Sequence, residues 1–149
     1  MKTVIMFLIV IFLSPILNAK VLTSDKINDL FKSKGHFIRF IGDEKYQLID
    51  VEPMTKLIKK VMVESKFIES KILDCDRVSI LLFAEIIKYQ YIKNNRLPLA
   101  FGEAVIQSRK EKHTLNFFIS NDNLIYFFDP YTFETYPYSD KIKLLLVRM

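Results

Sequence analysis

The chain has no tryptophan, one cysteine, two histidines and three glycines in 149 residues. Each shortage closes a class of protein. A single cysteine, Cys75, can form no internal disulfide, so this is not a disulfide scaffold. One cysteine and two histidines cannot furnish a Cys/His structural zinc site. Walker, GxGxxG and HExxH motifs are all absent. No repeat or low-complexity linker divides the chain. Long apolar runs are missing beyond Ala19, because Lys, Asp and Glu interrupt each one, so no later segment can span a bilayer. Charge of one sign is not concentrated either. The net charge is +5, and the lysines alternate with acids, as in Lys56, Lys59, Lys60 and then Glu64. That is a solvated surface, not the clustered basic face that nucleic acid demands, and no nucleic-acid partner is expected.

What is present begins with MKTVIMFLIVIFLSPILNA, residues 1–19. Lys2 supplies a positive start, Thr3 to Leu13 an apolar stretch, Pro15 a break, and Asn18-Ala19 a small-residue cleavage site. This reads as a signal peptide. The alternative is an uncleaved anchor, against which the shortness of the run counts, since a spanning helix needs about 20 residues. The expected product is exported, periplasmic or extracellular, without stable membrane insertion after cleavage. Residues 20–149 then form a single domain, long enough to bury a core. In an oxidising compartment a lone cysteine is buried, paired between chains, or kept for its chemistry.

Periodicity gives the elements. Ser24 can cap a helix over Asp25 to Lys34 that stops at Gly35. His36 to Ile41 and Tyr46 to Val51 read as a hairpin turned at Gly42-Asp43-Glu44. Pro53 starts a helix with Met54, Leu57, Ile58, Val61 and Met62 on one face. Asp74 caps a long helix from Cys75 to about Asn94, apolar enough to be central and covered on most sides. Leu99 to Gln107, His113 to Ile119, Leu124 to Asp129 and Ile142 to Arg148 read as strands, and Tyr131 to Tyr138 as aromatic and irregular. Helices before an antiparallel sheet give an α+β order.

The candidate chemistry is Cys75, His113 and Asp129. Cys75 opens a helix, whose dipole favours a thiolate, but Asp74 and Asp76 flank it and oppose that effect. A thiol nucleophile needs a base, and the base an orienting partner. His113 and Asp129 flank the turn between two strands, so strand parity tests whether they meet. A three-residue loop, Asn121 to Asn123, sets Ser120 opposite Leu124 and Leu115 opposite Asp129, with His113 as the diagonal neighbour. That register gathers His113, Leu115, Phe117, Ile119, Ile125, Phe127 and Asp129 on one face, which reads as the core side. Diagonal residues lie ~7–8 Å apart, within reach of a His–Asp pair. His36 has no such partner and reads as structural.

Four words come in order: Asp74-Cys75-Asp76, Leu99-Ala100-Phe101-Gly102-Glu103-Ala104, His113-Thr114-Leu115-Asn116 and Asp129-Pro130-Tyr131-Thr132. Together they resemble the papain-like cysteine-protease domain fused to a fungal ricin-type agglutinin, and its small bacterial and phage relatives. The resemblance covers Leu73 to Thr132. It implies a papain-like fold with a Cys-bearing central helix on an antiparallel sheet. It implies Cys75 as nucleophile, His113 as base and Asp129 as third member, where the family usually has Glu. It also implies calcium, with Asp76 at one ligand position and Asp74 close by. Tyr131 stands where the family has Gln, and Ile68 to Leu73 holds no counterpart of the oxyanion-hole Gln. No lectin domain is expected, so sugar binding does not carry over.

The expected function is therefore an exported thiol hydrolase acting on a peptide or protein substrate. Transglutaminase-like transfer would use the same triad. The other class is a non-enzymatic secreted binding protein on the same scaffold. Its contact surface would be the aromatic stretch Tyr126 to Tyr138, with Phe127, Phe128, Tyr131, Phe133 and Tyr136, unless these side chains are core.

Overall fold

The computed structural model describes residues 20–36, 38, 41–66, 74–93, 97–108 and 111–149. The expected signal peptide, residues 1–19, lies outside them. The elements are β1 (Val21–Thr23), α1 (Ser24–Lys32), β2 (Lys45–Gln47), α2 (Val51–Ser65), α3 (Cys75–Ile92), β3 (Phe101–Ser108), β4 (Glu111–Ile119), β5 (Ile125–Asp129), β6 (Glu134–Pro137) and β7 (Lys143–Arg148). Five strands form an antiparallel sheet in the order β6-β5-β4-β3-β7, and β1 pairs with β2 in a separate two-stranded ladder. The class is α+β, three helices on an antiparallel sheet.

The helix starts follow their caps. Thr23, not Ser24, caps α1, its hydroxyl accepting from the Lys26 amide at 3.4 Å. Asp50 precedes α2, so Pro53 sits inside the first turn, where a missing N–H costs nothing. Asp74 caps α3 and accepts from the Arg77 amide at 3.1 Å. The expectation that α3 is covered on most sides does not hold. Its buried residues Val78, Leu82, Ile86 and Gln90 fall four apart on one stripe, while Ile80, Ile87, Tyr91 and Ile92 are exposed. Among the described elements, α2, β4 and β3 make its main contacts, and it buries one stripe against them.

The early hairpin is also corrected. Part of its first arm, residues 37, 39 and 40, lies outside the described residues. The partner of β2 is β1, with Leu22 opposite Tyr46, and both side chains are buried. The Gln47 amide then donates to the Pro98 carbonyl at 2.7 Å and the Ala100 amide to the Gln47 carbonyl at 2.9 Å, tying the small ladder to the start of β3.

The β4–β5 hairpin has the register that parity gives. Asn116 faces Phe128 and Phe117 faces Phe127, and Ser120 and Leu124 close the loop with a 3.0 Å bond. Asn123 takes φ +62°, the left-handed residue a three-residue loop requires, and Asn tolerates it. Both faces of this hairpin are buried, not one. Leu115, Phe117, Ile119, Ile125 and Phe127 pack with Ile27 and Phe31 of α1 and with Leu22, Tyr46 and Leu48. Phe118 and Phe128 pack with Met54, Ile58 and Met62 of α2 and Leu82 and Ile86 of α3. The stretch expected to be irregular contains β6, with Phe127 opposite Tyr136.

Gly102 marks the tightest point of the sheet. A Cβ there would stand 2.7 Å from Phe117 Cε1 and would also strike the backbone carbonyl of Arg148. Neither a packed ring nor a paired strand can yield cheaply. Gly102→Ala should cost about 3 kcal/mol, read as a lower urea midpoint at unchanged m-value.

Candidate functional site

Cys75 is the first residue of α3 and partly buried. Its thiol points at Asp76 Oδ1, 3.7 Å away. The same Asp76 oxygen accepts from the Thr114 hydroxyl on β4. Asp74 Oδ1 is taken by the cap, with Arg77 Nε 4.0 Å off. Both carboxylates expected to serve calcium thus also accept hydrogen bonds from the protein. Among the described residues, no group of three or more His, Cys, Asp or Glu is arranged to hold a metal.

His113 lies elsewhere. Thr114 and Asn116 turn their side chains to α3, and alternation sends His113 to the opposite face. Its strand partner is Ile106, a residue of the α1-side core. His113 Nε2 meets Glu111 Oε2 at 3.3 Å, two residues back along the same strand. Asp129 shares that face by register, but its carboxylate folds over its own turn. Asp129 Oδ1 accepts from the Tyr131 amide at 2.8 Å and the Thr132 amide at 3.3 Å. Among the described residues, no hydrogen bond or ion pair joins His113 to Cys75 or Asp129.

What Cys75 and Asp129 do share is a neighbour, Tyr131. Partial burial raises the Tyr131 phenol above its ordinary pKa, and electrostatic interaction with Cys75, Asp74 and Asp129 adds to the rise. Tyr131 is 54% exposed on the β5–β6 turn. That turn is firmly set. Phe133 takes φ +61°, a strained conformation for an aromatic residue, and is held there by its amide bond to the Asp129 carbonyl at 2.8 Å. Its ring also stands edge-on to Phe128, 6.4 Å between centroids.

Beneath the helix start runs a polar seam that sequence reasoning did not assign. Ser79 Oγ donates to the Thr114 carbonyl at 3.1 Å, and Asn116 Nδ2 to the Ser79 carbonyl at 3.0 Å. Glu103 on β3, 2% exposed, lies opposite Asn116 and binds the guanidinium of Arg148 on β7. A charged residue inside an apolar strand run was the available signal. The Asn of the His-x-x-Asn word thus holds α3 to the sheet. His36 stands edge-on to Tyr138 at 6.5 Å between centroids, and burial lowers its imidazole pKa.

No family model matches the chain, and no curated protein matches it. Solved structures do. The fold is similar to about half of each of two such chains. One structure is of Polyporus squamosus lectin bound to a human-type influenza-binding epitope, Neu5Aca2-6Galb1-4GlcNAc, with TM-score 0.69 and 16% identity over 87% of this chain and 49% of that one. Another is the PSL1a-E64 complex, with TM-score 0.68 and 17% identity over 87% of this chain and 50% of that one. The chain spans about half the length of these lectins, and what it shares with them is the fold. This corrects the expected kinship with a papain-like cysteine-protease domain, because the chains matched are described as lectins. The aromatic contact surface is corrected too. Phe127 and Phe128 are fully buried and Tyr126 stacks on Phe118, so these rings are core, and Tyr131 is the one large exposed apolar residue of that stretch.

The Glu103–Arg148 pair gives a test of the seam. Burial pushes the Glu103 pKa above the ordinary carboxylate value; the Arg148 guanidinium pulls it back, and the Asp76 charge adds to the rise. The folded chain therefore takes up this proton before the unfolded chain does. The stability contributed by Glu103 is complete below the ordinary carboxylate pKa and is lost as pH rises through the raised folded value. Arg148→Met strips the counter-charge. We expect a loss of about 2–3 kcal/mol at pH 7, below the ~3–5 kcal/mol of a fully buried pair because Arg148 is itself 44% exposed. The deficit should shrink to less than half at pH 4.5–5, by denaturant titration at both values.

Proposed function

We propose that this is an exported, non-enzymatic binding protein that holds a neutral, hydroxyl-rich ligand of the glycan class at the rim formed by Asp74, Cys75, Asp129 and Tyr131. The observation that carries this reading is the exposed Tyr131 ring set among carboxylates, with His113 engaged by Glu111 on the other face. Carboxylates accept hydrogen bonds from hydroxyl groups. An exposed aromatic ring on a fixed turn offers a rigid apolar face at low entropic cost. The rim carries negative charge, which disfavours an anionic sugar and favours a neutral one. The lectin fold supports a binding role, and the sialylated epitope belongs to the Polyporus squamosus lectin structure alone. A peptide substrate is supported less well, because among the described residues His113 makes no hydrogen bond or ion pair with the thiol.

The test is titration of the mature protein with neutral and sialylated oligosaccharides, with and without calcium. Tyr131→Ala should weaken neutral-glycan binding at least tenfold, about 1.4 kcal/mol. Cys75→Ala and His113→Ala should remain folded and bind within twofold of wild type. Unchanged binding by Tyr131→Ala would overturn the proposal. So would amide hydrolysis that disappears in both Cys75→Ala and His113→Ala.

A further inference from the structure

A second opening lies at the other end of α3. Gln90 follows Cys75 by fifteen residues, about 22 Å along the helix axis. There the helix, the Asp43–Tyr46 turn and the Leu97–Leu99 segment enclose a cavity of about 250 Å³. Its walls are mainly Phe83, Ile86, Leu99 and Phe101. Ile87 and Tyr91 stand at the mouth, 50% and 84% exposed, which leaves a way in.

Two polar groups break the apolar lining. Gln90 is 7% exposed, and its Nε2 has no hydrogen-bond partner among the described residues. A buried amide nitrogen without an acceptor is costly, and folded chains rarely keep one. Tyr46, 2% exposed, accepts from the Asp43 amide at 2.8 Å, and burial raises its phenol pKa, so the hydroxyl retains its proton. Both groups can donate into the cavity. The Asp43 side chain, exposed at the rim, brings the one side-chain charge among the described lining residues, and it is negative.

We propose that this cavity is a binding site for a small, neutral, largely apolar molecule bearing a carbonyl oxygen, such as an amide, ester or ketone, which accepts from Gln90 Nε2. The volume lies just under the about 300–1,000 Å³ of pockets for drug-sized ligands, so the ligand is small. The acceptor follows from the orphaned donor. Neutrality follows from Asp43, which repels a carboxylate. This site is independent of the rim at the start of α3, and it holds whether or not that rim binds sugars.

The experiment uses saturation-transfer NMR and calorimetry on the mature protein with three probes: hexanamide, acetophenone and hexanoate. Hexanamide and acetophenone should bind, with hexanoate at least tenfold weaker at pH 7. Gln90→Leu keeps the side-chain volume and removes the donor. It should weaken acetophenone at least fivefold while leaving ethylbenzene, which has no acceptor, unchanged or tighter. The same variant should raise the ligand-free Tm by roughly 3–6 °C, since an unpaired buried donor is gone. Tyr131→Ala should leave all three affinities unaltered, separating this site from the rim. No binding of either carbonyl probe at millimolar concentration overturns the proposal. Equal binding of hexanoate, or indifference of acetophenone to Gln90→Leu, does the same.

Discussion

The domain depends on one hairpin, β4–β5, being apolar on both faces. A strand with one wet face leaves half its side chains to solvent. Here Phe117 and Phe127 go to one layer and Phe118 and Phe128 to the other, and all four are fully buried. Each layer alone is thin: α1 with a short two-stranded ladder on one side, two helices on the other. Neither could bury enough area as a separate unit. The hairpin makes them one structure, and burying four aromatic rings dominates its packing energy.

That arrangement also fixes the chemistry. When both faces of a sheet are covered, polar side chains are pushed to strand ends, turns and helix starts. Cys75, Asp74, Asp129 and Tyr131 occupy such positions, and Gln90 lies at the far end of the same helix. Among the buried polar groups, Ser79 and Asn116 hold α3 in its place on the sheet, and Glu103 ties β3 to Arg148 of β7. They form a seam that fixes where the helix begins, and with it which residues reach the surface.

The parts of this fold that could be read from sequence are those with a strict period. The β4–β5 register followed from alternation and loop parity, and the buried face of α2 from its four-residue spacing. β1 and its pairing with β2 could not be read, because a three-residue strand carries no pattern and the pairing skips over a helix. The site was half legible. Parity put His113 and Asp129 on one face, but nothing in the pattern said that α3 would take the other. With Phe118 and Phe128 as apolar as Phe117 and Phe127, both faces qualified as core. Gln90 was invisible for a similar reason: a polar residue in a helix reads as solvated until its neighbours are known.

The position of the hairpin in the chain has a consequence for biosynthesis. Both apolar layers need β4 and β5, which lie in the last third of the sequence. Ile27 and Phe31 of α1 meet their hairpin partners only after Phe117 and Phe127 have left the ribosome. Until β4 and β5 exist, α1 and α2 have no hairpin against which to bury their apolar faces.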